Sequence, residues 1–170
     1  MYEIGTLILY DKSGVYRIDS VGTPPIRGTT GKYYKLCAVF SGNSEIIYSP
    51  VDTPVTMRSL ISSSEAIHYL ELFPRLEPPA FRSGKTTELA AHYQGMLTSY
   101  RVEDCLLLIQ EIHIKQRKMI EQEKHLGQID TKYLKLAEKL ICEEFAAVLN
   151  TTPDLIRERL YAATKRMATA

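Results

Sequence analysis

The stretch Arg82-Ser83-Gly84-Lys85-Thr86 holds residue types that can bind a nucleotide's phosphates: a glycine for close backbone approach, a lysine for charge, a hydroxyl for a magnesium ion. A phosphate-binding loop also needs a glycine five positions before the Gly84-Lys85 pair, so that successive amides wrap the phosphates. Pro79, which has no amide hydrogen, stands there, and no apolar strand precedes it. The segment therefore reads as a helix start capped by a Ser or Thr. His68, His92, His113 and His125 fall in no metal-ligand spacing with one another or with a cysteine, and read as solvated or core-edge side chains. The neighbours Glu103-Asp104 and Glu143-Glu144 diverge by about 100° on a helix, so neither pair can share a substrate, and both read as solvated faces. Cys37, Cys105 and Cys142 are far apart, with apolar neighbours and no Cys-x-x-Cys, and read as buried free thiols. With no Gly-x-Ser-x-Gly and no Cys/His pairing, the expectation is a protein that is not an enzyme, with no metal, no cofactor and no small-molecule substrate.

The elements that would position these residues change character along the chain. Before about residue 58, β-branched and aromatic residues cluster between Gly, Pro, Asn and Asp, predicting five short strands at Thr6–Tyr10, Val15–Val21, Lys32–Phe40, Glu45–Ser49 and Val55–Met57. The turns are placed at Asp11–Gly14, the Thr23–Gly31 loop and Ser41–Asn43. Strands this short must close or curl to hide their edges, and a small SH3-like or Tudor-like barrel is the economical solution. From about residue 60 the period becomes 3.6. Ser62 and Glu65 have capping-box spacing, so a helix should run to about Phe73 and stop at Pro74, with Glu77-Pro78-Pro79 as a rigid linker. Further helices are expected from Thr86 to Ser99, from Val102 to Lys124 with Gly127 as the stop, from an Asp130 cap to Leu149, and onward from Thr152-Pro153. Inward positions are Leu106, Ile109, Ile112, Met119 and Ile120 on the third helix, and Leu155, Ile156, Leu160 and Met167 on the fifth. The fold class is α+β: residues 1–58 a β module, residues 59–170 an all-helical module of about five helices.

Composition agrees with an ordinary globular chain of 170 residues, 45% of them hydrophobic, with 21 basic against 20 acidic groups. A net charge of +1 gives no global pull toward nucleic acid or membrane, so any such binding must come from a local patch. No apolar run approaches the roughly 18 residues of a membrane span. Met1-Tyr2-Glu3-Ile4-Gly5 runs straight into a patterned strand, which reads as a cytoplasmic protein.

Five motifs in order carry a family resemblance: Tyr2-Glu3-Ile4-Gly5 with Leu7, Ile8 and Tyr10; Gly14-Val15 with Ile18; Tyr33-Tyr34-Lys35-Leu36; Ile46-Ile47-Tyr48-Ser49-Pro50-Val51; and Arg58-Ser59-Leu60-Ile61-Ser62. Together, and followed by a helical half, they resemble the CarD/CdnL family of bacterial RNA-polymerase-binding transcription regulators, from Met1 to about Asn150. The N-terminal module is also similar to the polymerase-interacting domain of transcription-repair coupling factors. The resemblance implies a Tudor-like barrel that docks on the polymerase β subunit and a helical domain that reaches promoter DNA and modulates the open complex. It assigns polymerase docking to Pro24, Ile26, Arg27, Ile46, Ile47, Tyr48, Ser49 and Pro50, through strand addition at an exposed edge.

Family members often carry Arg in the docking strand and the preceding loop, where this chain has Tyr48 and Pro24. Members of the best-known type insert a Trp wedge into the minor groove; this chain has no Trp, Thr86 falls at about that position, and Phe81 is the closest aromatic. Candidate DNA contacts are therefore Phe81, Arg82, Lys85, Thr86, Lys132 and Lys135, giving weak, polymerase-dependent contact. The alternative is a polymerase-bound adaptor whose helical half engages protein without inserting into DNA.

Overall fold

In a computed structural model, described over residues 1–40, 45–52, 56–79 and 81–169, with side chains to Thr164, the chain divides into two compact units, Met1–Ile61 and Ser62–Ala170. The expected turn at 41–43, Val55 and the side chain of Met167 lie outside the described residues.

The first unit is a five-stranded antiparallel sheet: β1 (Leu7–Tyr10), β2 (Gly14–Gly22), β3 (Tyr33–Ala38), β4 (Ile46–Pro50) and β5 (Met57–Ser59), in the order β4-β3-β2-β1-β5. Ile8, Tyr16, Ile18, Tyr34 and Leu36 form its buried cluster, and Ile47 from β4 and Met57 from β5 pack against it. Side chains from both edge strands thus share one core. The edges themselves do not pair, so the sheet is open where a closed barrel was expected. β5 is only three residues long and is paired along its length with β1 before the chain turns into the first helix. Register explains a second departure. Strict alternation puts Tyr16, Ile18 and Ser20 on one face, but a bulge at Asp19 shifts the β2–β3 pairing between Ile18 and Ser20. Ser20 is consequently exposed, and Val21 turns to the core.

The second unit holds α1 (Ser63–Leu72), a 3₁₀ turn (Phe73–Arg75), α2 (Thr86–Thr98), α3 (Val102–Glu121), α4 (Gln128–Leu149) and α5 (Pro153–Thr169). The capping box forms: Ser62 Oγ accepts from the Glu65 amide and Glu65 Oε1 from the Ser62 amide, both at 3.1 Å. α1 ends at Leu72 with Phe73 as its C-cap, close to the expected stop before Pro74. The helix tightens into the 3₁₀ turn, where proline's missing N–H costs nothing, and Phe73 is fully buried. α3 ends earlier than expected, because Glu123 takes a left-handed φ of 57° while the amides of Glu123 and Lys124 bond back to the carbonyls of Ile120 and Met119. Gly127 is instead the N-cap of α4, which moves Asp130 from the cap to the third residue of the helix's first turn. Leu106, Ile109 and Ile112 of α3 are fully buried, as is Phe145 of α4, each such side chain stabilising by about 1.5–3 kcal/mol. Ile120 and Leu155, expected inward, are 63% and 54% exposed. Among the described residues no helix is long and apolar enough to cross a membrane.

Candidate functional site

β4 is an edge strand, and its register fixes which backbone groups are free. The bonds from Ala38 N–H to Glu45 C=O and from Val51 N–H to Lys32 C=O, both 3.0 Å, flank the β3–β4 ladder. Antiparallel pairs alternate, so Leu36/Ile47 and Tyr34/Ser49 exchange the intervening bonds, and the amides of Ile46 and Tyr48 point away from the sheet. Pro50 falls in the same outward phase, where a strand tolerates a residue without an N–H. Side chains follow the same phase. Ile47 packs on the core, Ser49 is fully buried with no hydrogen-bond partner for its Oγ among the described residues, and Ile46 is 45% exposed.

The opposite edge is less open. Met57 and Ser59 of β5 point their main chain outward, but Arg58 Nη1 donates to the Ser59 carbonyl at 3.1 Å, blunting that edge. In the loop before β3, Pro24 is buried, whereas Ile26 is 50% exposed and Arg27 is exposed. Thr29 N–H closes a turn onto Ile26 C=O at 3.2 Å, with Gly28 at φ 82°, a backbone that glycine supplies without strain. Of the expected docking residues, then, Ile26, Arg27, Ile46, Tyr48 and Pro50 offer side chain or outward main chain, while Pro24, Ile47 and Ser49 serve the unit's interior.

In the helical unit, Phe81 and Arg82 line a cavity of about 550 Å³ with Pro78, Pro79, Tyr93, Glu111, Lys115 and Lys118. Phe81 does not stand free: its ring stacks on His92 at 4.0 Å between centroids and 8° between planes. His92 Nε2 faces both oxygens of Glu111, at 2.9 and 3.1 Å. Burial pushes the Glu111 carboxyl above the usual carboxylate range, an effect that His92 and Lys115 oppose. Behind this pair, Asp130 accepts from the Tyr93 hydroxyl at 2.6 Å and from Lys115 Nζ at 2.8 Å. Burial, followed by the bond to Asp130, raises the Tyr93 phenol far above its ordinary value, so it stays a neutral donor.

The remaining expected DNA contacts scatter. Thr86 is exposed as the first residue of α2; Lys85 reaches Glu88 at 3.8 Å; and Ser83 organises the helix start, accepting from the Lys85 amide at 3.1 Å and donating to Glu88 at 2.6 Å. Lys132 lies 5.4 Å from the centroid of the Tyr133 ring, and Lys135 borders a separate hollow with Glu138, Cys142 and Arg157. Only Phe81 and Arg82 of the six meet at one site.

Sequence reasoning missed the His92–Glu111 and Asp130–Lys115 pairs, because a helical period marks which face a residue shares and not which acid meets which base across two helices. Two other readings are corrected. His113 is 1% exposed rather than at the core edge, and Glu144 is 1% exposed rather than on a solvated face. Of the cysteines, Cys105 and Cys142 are buried as expected and Cys37 is half-buried. Among the described residues no three His, Cys, Asp or Glu side chains converge as a metal ion would need. No protein-family model matches the chain, and neither does any curated protein.

Proposed function

We propose that this chain is a CarD-like regulator of bacterial transcription, whose N-terminal sheet acts as a Tudor-like module that takes a strand of the RNA polymerase β subunit onto the β4 edge. The helical unit then modulates the promoter open complex from that anchored position. The observation that carries this reading is the pair of outward amides at Ile46 and Tyr48 beside an exposed Ile46, on an edge left open while the opposite one is blunted by Arg58. Main-chain bonds at such an edge supply affinity, and the alternate side chains supply specificity.

One observation favours the adaptor reading for the helical unit. Phe81 is held against His92 and Lys85 is paired with Glu88, which leaves Arg82 as the segment's cation without an ion-pair partner among the described residues. Two experiments separate the readings. Binding of core polymerase to the immobilised chain should fall in Tyr48→Pro and Ile46→Asp, and undiminished binding by folded variants would remove the docking edge. Phe81→Ala and Arg82→Ala should shorten open-complex lifetime if this segment touches DNA; a lifetime unchanged in both assigns the helical unit to protein contacts.

A further inference from the structure

A second hollow in the helical unit, of about 760 Å³, lies between α3 and α5 and is bounded chiefly by apolar surface. That volume falls within the roughly 300–1,000 Å³ of small-molecule sites. Its aromatic wall is built, not incidental. The Tyr161 ring stacks at 4.1 Å on His113, which is itself locked: Nε2 faces Glu138 Oε1 and Nδ1 faces the Thr164 hydroxyl, both at 3.1 Å. The Thr164 hydroxyl is held in turn, within reach of Gln110 Oε1 at 3.0 Å and of the Leu160 carbonyl at 3.2 Å, so both ring nitrogens of His113 have fixed neighbours. Burial, then neighbouring Glu138, pushes the Tyr161 phenol up to about 12. The ring is thus held on one face by a fixed partner, yet Tyr161 remains 38% exposed, a preorganised platform for a flat apolar body.

Two guanidinium groups line the hollow: Arg157, which pairs with Asp154 at 3.2 Å, and Arg117. Arg117 is half-buried, its Nη1 donates to the Thr164 carbonyl at 2.6 Å, and no carboxylate lies within ion-pair range of it among the described residues, although Glu121 follows one turn later on the same helix. A guanidinium has five N–H groups, so most of this fork is left to face the hollow or solvent. A half-buried cation without a counter-ion, beside an aromatic platform and an apolar wall, is recognition chemistry for a planar acid. Exposed Glu121 and Glu158 on the rim, screened by water, would oppose an anion only weakly.

We propose that the α3–α5 hollow binds an aromatic carboxylate, its ring plane on Tyr161 and its carboxylate on Arg117. The hollow would serve as a regulatory ligand site, whose recognition groups are the Arg117 guanidinium and the Tyr161 ring. The inference does not rest on polymerase docking.

The test uses the full chain, with 2-naphthoate as probe and the neutral 2-naphthamide as control, followed by amide NMR shifts and calorimetry. A ligand of this size should reach a Kd on the order of 0.1–1 mM, with shifts clustered at Gln116, Ile120 and Ala162. The acid should bind about tenfold more tightly than the amide, the effect of one charge-assisted contact. Arg117→Gln should bring the acid down to the amide's affinity, and Ala162→Trp, which fills the hollow without touching the His113 bonds, should abolish binding of both. Equal affinity for acid and amide in the wild-type chain, no saturable binding at millimolar probe, an acid preference that survives Arg117→Gln, or a dimer of the chain that excludes the probe would each overturn the proposal. The wild-type comparison decides the matter even if a variant fails to fold.

Discussion

The register of β4 makes a sharp demand on two neighbouring residues. Ile47 donates its amide inward to Leu36, so Ile47→Pro removes a ladder bond worth about 1 kcal/mol and strands a carbonyl at a further cost of about 1–3 kcal/mol. It also withdraws a half-buried side chain from the Ile8–Tyr16–Leu36 cluster, about 1 kcal/mol more. Tyr48→Pro breaks no bond within the sheet and loses only the cross-strand contact with Lys35, roughly 0.2–1 kcal/mol. The fixed φ of proline acts in both variants and largely cancels in the difference. Ile47→Pro should therefore destabilise the first unit by about 3 kcal/mol more than Tyr48→Pro, a large part of a small unit's stability. Urea titration followed through amide resonances of Met1–Ile61 reads that unit without interference from the helices. For polymerase binding the order reverses among molecules that are folded, since Tyr48→Pro removes one of the two outward donors and sets a ring against the incoming strand. If Tyr48→Pro unfolded the sheet while Ile47→Pro spared it, the outward phase would belong to Ile47 and the docking argument would fail at its root.

Three further outcomes are expected. Glu111 has a folded-state pKa raised above its unfolded value of 4.5, so the folded chain holds the proton more tightly; stability should fall as pH rises from about 4.5 through the raised value, and Glu111→Gln, followed by thermal melts across that window, should flatten the slope. Ser49→Ala should raise the stability of the first unit by about 1 kcal/mol, because it deletes a buried hydroxyl with no partner among the described residues; a destabilised variant in urea titration would show that the hydroxyl is satisfied in solution. With a chromogenic disulfide reagent, Cys37 should label first in the native chain, whereas Cys142, buried and with its thiol pushed up to about 12, should react only on unfolding, as mass spectrometry of the labelled peptides can establish.

What could be foreseen from residue order was whatever acts locally. The Ser62–Glu65 box, the Pro153 start of α5 and the change from period 2 to 3.6 near residue 60 each depend on neighbours within one turn or one strand, and each is where the pattern puts it. The misreadings have local causes too. Gly127 looked like a helix stop because glycine favours the left-handed cap, yet Glu123 takes that conformation first and the glycine is left to begin α4. The Asp19 bulge could not be inferred from alternation, since it consists in a break of alternation. For the sites the boundary is different. The motif at Ile46–Pro50 could suggest an edge strand, but the choice of outward amides needed the pairing partner, and the Arg117–Tyr161 hollow joins residues 44 positions apart that no spacing rule connects.

The buried acids of α4 show what such long-range pairing contributes. Asp130 pairs with Lys115 and Glu138 faces the His113 ring, so α3 and α4 are pinned by two polar contacts about two turns apart along α4. Pairs of this kind add little net stability, because desolvation consumes most of the Coulombic gain. The apolar stripe of Leu106, Ile109 and Ile112 supplies the energy, but a stripe of similar aliphatic side chains tolerates a slide of one turn. The acids do not: sliding α4 by a turn would leave Asp130 and Glu138 buried without Lys115 and His113, at about 1–3 kcal/mol or more for each stranded polar group. They therefore select one register from several that the apolar surface would accept. That register sets Tyr93 and Lys115 behind the Phe81 cavity and fixes His113 under Tyr161, so both hollows of the helical unit owe their walls to the same two polar contacts.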